Sequence, residues 1–125
     1  MYLAVVGSTN ITDKQRGIAS VIIDGFLFSY IPELVISGGA VGIDSLASGR
    51  VTAWNRDQQW GINFMEFLPE NPRWEPNGYK ERNTKIAEEC TDLLCIRTQQ
   101  STTYGSGWTA DLAERLGKTV WRVLI

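Results

Sequence analysis

Three short runs of small and hydroxyl-bearing residues carry most of the chemistry this chain could do. They are Gly7-Ser8-Thr9-Asn10, Ser37-Gly38-Gly39-Ala40-Val41-Gly42-Ile43-Asp44, and the polar stretch from Gln99 to Thr109 that holds Gly105-Ser106-Gly107. Glycine lets a backbone come close to a ligand, and unpaired N–H groups at a helix start attract anions. The second run is the sharpest, because it follows an apolar stretch and opens an amphipathic one, as a phosphate-binding turn requires. It has neither the Gly-Lys-Ser/Thr of a P-loop nor the G-x-G-x-x-G spacing of a dinucleotide fingerprint. Taken together, the runs point to a phosphate or another anion carried on a nucleotide.

The side chains around these runs suggest roles. Gly7, Ser8 and Thr9, in the first loop, are expected at the ligand, with Ser8 adding a hydroxyl donor. Backbone amides at Gly38, Gly39, Gly42, Gly105 and Gly107 would hold phosphates, with hydroxyls from Ser37, Ser106 and Thr109. Arg82 would fork onto two phosphate oxygens, because its planar donors match them, and Asn83 would hold a ribose or a base edge. On that reading Arg82→Ala abolishes binding and leaves the ligand-free melting temperature nearly unchanged. Asp44 falls in a first helical turn, where it either compensates the helix dipole or bonds a ribose hydroxyl or a loop amide. Arg97 either balances ligand charge or pairs with a loop carboxylate. Trp74, Tyr104 and Trp108 could stack on a flat base, whereas Trp54 and Trp60 suit packing or a subunit contact. For hydrolysis, the carboxylates placed to act are Asp44, Asp111 and Glu114.

The elements that must position these residues alternate along the chain. Tyr2–Val6 reads as a buried strand. Thr12 then caps a helix from Asp13 that dissolves near Tyr30, ahead of Pro32, with Ile18, Val21, Ile22 and Phe26 as its apolar stripe. Leu34–Ile36 is a second strand, followed by a helix from Gly42 to about Asp57, and Ile62–Phe67 is a third strand. Leu68–Gly78 holds three of the four prolines and reads as a loop covering a site. A helix over Tyr79–Cys90, a strand over Asp92–Arg97, a helix over Trp108–Leu116 and a strand over Thr119–Ile125 complete the pattern. This β-α-β-α-β-α-β-α-β order predicts an α/β, Rossmann-like three-layer sandwich with a five-stranded parallel sheet in the order 3-2-1-4-5. Ligands of such sheets bind beyond the carboxyl ends of the strands, where strand order reverses. Here that places them between the first and fourth strands.

Composition narrows the functions. The 125 residues suit one domain, and the formal net charge of −2 argues against a dedicated duplex DNA binder. The absence of histidine excludes a Ser-His-Asp triad, a His–zinc site and a haem histidine, and two cysteines cannot make a tetrathiolate zinc site. No metal or cofactor is expected. Cys90 and Cys95 are expected to be buried free thiols. No basic, cleavable leader precedes the first strand and no apolar run reaches membrane-spanning length, so the expected location is the cytoplasm.

At these residues the chain resembles the SLOG superfamily of Rossmann-like nucleotide-binding proteins, and most of all its small YspA/YpsA-like branch, with DprA and the LOG enzymes as more distant relatives. Four matches carry the resemblance over nearly the whole chain. They are Val5-Val6-Gly7-Ser8; Ser37 to Asp44 with Leu46-Ala47; Trp74 and Gly78 followed by Arg82-Asn83; and Gly105-Ser106-Gly107-Trp108-Thr109-Ala110-Asp111. The resemblance implies a nucleotide or nucleotide-derived ligand, sensed or sequestered, and a homo-oligomer is expected. LOG enzymes cleave the N-glycosidic bond of a nucleoside monophosphate, which makes a nucleoside-phosphate N-glycosidase the alternative. Where those enzymes have Thr-x-x-Glu, this chain has Thr109 followed at that spacing by Leu112, and Trp108 replaces a loop glycine. DprA-like proteins, which bind single-stranded DNA, carry Arg at the position of Val41 and His at that of Ser48, so nucleic acid is not an expected partner.

Overall fold

In a computed structural model that describes residues 1–75 and 78–125, the chain forms a five-stranded sheet with four helices. The elements are β1 (Tyr2–Gly7), α1 (Asp13–Tyr30), β2 (Leu34–Ser37), α2 (Ile43–Gln58), β3 (Asn63–Glu66), α3 (Tyr79–Glu89), β4 (Asp92–Arg97), α4 (Gly105–Arg115) and β5 (Thr119–Leu124). Every strand pairing is parallel and the order is β3-β2-β1-β4-β5, as the alternation predicts.

Parallel strands covered on both faces need apolar side chains on both, and the two central strands supply them. Leu3 and Val5 of β1, with Leu94 and Ile96 of β4, face one core, where Ala19, Ile23 and Leu27 of α1 and Ile43, Ala47 and Val51 of α2 pack. Ala4, Val6, Leu93 and Cys95 point the other way and meet Ile86 and Ala87 of α3 and Ala110 and Ala113 of α4. The sheet is therefore the middle of three layers. Both cysteines are free and buried.

Two local expectations need correction. The buried stripe of α1 is Ala19, Ile23 and Leu27; Ile22 and Phe26 are half-buried beside it, while Ile18 and Val21 face outward. Residues 18–28 are apolar at so many positions that periodicity leaves the phase of the stripe open, and packing on the sheet settles it. Helix α4 begins at Gly105, three residues ahead of Trp108. Gly-Ser-Gly is a poor helix-forming sequence, yet the Tyr104 carbonyl accepts from Trp108 N at 2.7 Å and the Gly105 carbonyl accepts from Thr109 Oγ1 at 2.8 Å. Glycine at 107 is needed for local packing: the Tyr104 ring lies where a side chain on residue 107 would be. In the covering loop, residues 76 and 77 lie outside the described residues.

Candidate functional site

A cavity of about 900 Å³ opens at the carboxyl edge of the sheet, where reversed strand order leaves a crevice. Ala40 and Ser106 both line it, so the second and third sequence runs share one space. Among the described residues its walls also include Gly7, Thr9, Asp44, Arg82, Asn83, Tyr104, Gly105 and Thr109. Trp74, from the covering loop, meets Trp108 edge to face with ring centroids 5.1 Å apart.

Six of the residues assigned to a ligand do not line it: Ser8, Ser37, Gly38, Gly39, Gly42 and Gly107. Most of them hold the walls together instead. Ser8 is buried; its Oγ accepts from Thr98 N at 3.0 Å, and its carbonyl accepts from Ile43 N at 3.1 Å, tying β1 to β4 and α2. Gly42 has φ +82°, and a Cβ there would collide with the Ser8 and Thr9 carbonyls. Ser37 Oγ accepts from Gly39 N at 3.3 Å. Short polar side chains commonly satisfy nearby backbone in this way.

Asp44 takes the loop-amide role. Its Oδ2 accepts from Gly38 N at 3.1 Å and Ala40 N at 3.3 Å, closing the loop over the start of α2. Burial pushes its carboxyl up to about 6; the two amides and the Arg82 guanidinium oppose that, and Glu66 adds to it.

Arg82 and Asn83 sit in the first turns of α3 and are both buried. Arg82 Nε donates to Asn83 Oδ1 at 2.6 Å, and its Nη1 donates to the Gly38 carbonyl at 2.5 Å. Asn83 Nδ2 in turn donates to the Gly105 carbonyl at 3.4 Å. The pair thus bridges the Gly38 loop to the start of α4, in addition to lining the cavity. Burial lowers the Arg82 pKa, against the pull of Asp44. Arg82→Ala therefore leaves buried acceptors unpaired and cannot leave ligand-free stability unchanged, contrary to the sequence expectation.

Asp111 and Glu114 are not at the cavity. They lie on the side of α4 that meets β5, where Arg122 Nη2 meets Asp111 Oδ1 at 2.8 Å and Glu114 Oε2 at 3.2 Å, and Asp111 Oδ2 accepts from the Tyr104 hydroxyl at 3.1 Å. Asp44 is the one carboxylate among the described lining residues. Among the described residues Arg97 pairs with no carboxylate: its Nη2 donates to the Thr103 carbonyl at 2.7 Å and its guanidinium stacks on the Tyr104 ring. Trp54 and Trp60 stack on each other at 4.8 Å, away from the cavity. Burial raises both thiols, Cys90 to about 11, so neither is a ready nucleophile. Among the described residues no cluster of Cys, Asp and Glu could hold a metal ion.

The walls also contain residues the sequence did not single out, among them Arg73, Tyr79 and Ile86. Tyr79 carried a usable signal, since it is the first residue of the helix that bears Arg82. Ile86 carried none, being an ordinary apolar position of that helix.

The start of α4 is the chemically open part of the site. Tyr104, at its N-cap, gives no side-chain cap, and the first turn holds no acidic residue. Among the described residues, the N–H groups of Gly105, Ser106 and Gly107 have no protein acceptor, and Gly105 and Ser106 line the cavity. Such a helix start attracts an anion. No protein-family model matches this chain, and no curated protein matches it.

Proposed function

We propose that this cavity binds a nucleotide or a nucleotide-derived small molecule, as a sensor or sequestering protein of SLOG type. The observation that carries the reading is the uncapped start of α4, opening into a large cavity that also holds a guanidinium and several aromatic rings. The amides of Gly105 and Ser106 suit a phosphate, Arg82 adds positive charge, and Trp74, Tyr79, Tyr104 or Trp108 offers a face for a base. The volume lies within the range usual for small-molecule sites. We further propose a cytoplasmic location; among the described residues no helix is long and apolar enough to cross a membrane.

Thermal shift and calorimetry with nucleoside monophosphates, cyclic nucleotides and ADP-ribose derivatives test this. A true ligand at a hundredfold excess over Kd stabilises the fold by about 2.7 kcal/mol. Thr9→Glu adds a carboxylate at an exposed lining position and is expected to remove the shift without unfolding the chain. Trp74→Ala should cost about 1–3 kcal/mol of affinity if its ring carries the base. Absence of stabilisation by every compound in the panel overturns the reading.

One observation favours a second reading, N-glycosidic hydrolysis of a nucleoside monophosphate. Asp44 faces the cavity with its pKa raised to about 6, which suits a general base that takes a proton from water as it attacks the sugar carbon and the base departs. Release of free base by the wild type, lost in Asp44→Asn, would promote this reading; intact nucleotide recovered after prolonged incubation removes it.

A further inference from the structure

We propose that the outward face of α1 is a two-fold dimer interface, in which α1 packs antiparallel against α1 of a second copy of this chain. The face is apolar and unpartnered: Ile18, Val21 and Phe28 are 42%, 72% and 66% exposed. Gly17 and Gly25 lie on the same side, both exposed, and among the described residues nothing stands within 4 Å of where a Cβ on either would be. A glycine inside an exposed helix weakens it, and no contact within this chain requires these two. Close approach of another helix would.

The spacing is self-complementary, as a two-fold contact demands. The midpoint of α1 falls between Val21 and Ile22. Ile18 and Gly25 are equidistant from it, so an antiparallel copy sets each Ile18 against the gap at Gly25 of the other chain. Gly17 and Phe28 are related by nearly the same centre, and Val21 lies beside it. Phe28 is braced from behind by Trp54 and Trp60, each with its ring centroid 6.3 Å away.

The charges agree with this arrangement. Asp24 turns toward α2, where Arg50 and Trp54 bind it, and leaves the face uncharged between Gly17 and Phe28. Lys14, on the same side of the helix as Gly17 and Val21, stands exposed near the helix start, where it opposes the helix's own dipole, and it has no ion-pair partner among the described residues. The far end of α1 has no basic residue in its last turn and is followed by exposed Glu33. Antiparallel pairing brings Lys14 of each copy toward the carbonyl end of α1 and Glu33 of the other. The cavity draws its helix walls largely from α3 and α4, on the opposite layer, and stays open in such a dimer.

Sedimentation of the full chain over a range of micromolar concentrations tests this, independently of any ligand. The wild type should show a concentration-dependent dimer. Val21→Lys should be monomeric with an unchanged circular dichroism spectrum and an unchanged nucleotide response. Gly25→Ala should raise the dimer Kd about tenfold or more, although it strengthens the isolated helix. Val21→Cys should cross-link to its own copy on mild oxidation, since both native thiols are buried. A wild type that is monomeric throughout, or a dimer whose Kd neither substitution changes, overturns the proposal.

Discussion

The starts of α1 and α4 lie at the same edge of the sheet and are finished in opposite ways. At α1 a capping box closes the helix: Thr12 Oγ1 accepts from Gln15 N at 3.1 Å, and Gln15 Oε1 accepts from Thr12 N at 3.0 Å. At α4 no side chain caps the helix, and Gly-Ser-Gly brings no bulk that would shield the first amides. The start of α2 is intermediate, since it borrows the Ser8 carbonyl for Ile43 N and uses Asp44 to gather the Gly38 loop. A helix start closed by its own side chains has fewer donors left for a guest, whereas one without a cap leaves them to water or to an anion.

The intermediate case offers the hardest break. Gly42→Ala forces a side chain onto positive φ and into two carbonyls, and should cost about 3 kcal/mol, read as a lower urea midpoint. Ligand response should fall with it, because the same turn carries the β1 and β2 loops. An Asp44→Asn series over pH tests the electrostatics of that turn. The folded-state pKa of Asp44 lies above the ordinary carboxylate value, so between about pH 4 and 6 the folded chain binds more proton than the unfolded one. The Asp44 contribution to stability is therefore greatest at low pH and declines as pH rises to about 6, by up to about 1.4 kcal/mol per pH unit. Asn carries no such slope, and parallel curves for the two proteins would refute the shift. The mildest break is Thr12→Ala, expected to cost about 1 kcal/mol of stability and to leave nucleotide affinity unchanged. A loss of affinity there would erase the distinction between the two helix starts.

Thr12 as a cap, the five strands and their order were legible because each rests on local chemistry or on an alternation that few topologies satisfy. Thr9, Asp44, Arg82, Asn83, Gly105 and Ser106 do share one cavity. Ser8, Ser37 and Gly42 do not line it, and the two hydroxyls bind backbone amides; a hydroxyl that binds a backbone amide and one that binds a phosphate look alike in a sequence. Asp111 and Glu114 looked available for catalysis because Arg122, eight or more positions away, gives no sign of pairing with them until β5 lies beside α4.

The amino-acid order alone determined a parallel sheet with its loops converging at the switch between β1 and β4, since hydrophobic period and turn residues act over a few neighbours. Which groups remain free for a guest was decided only by the tertiary structure. A hydrogen bond such as Arg82 to the Gly38 carbonyl joins residues 44 positions apart, and whether a donor is already used depends on that distant partner.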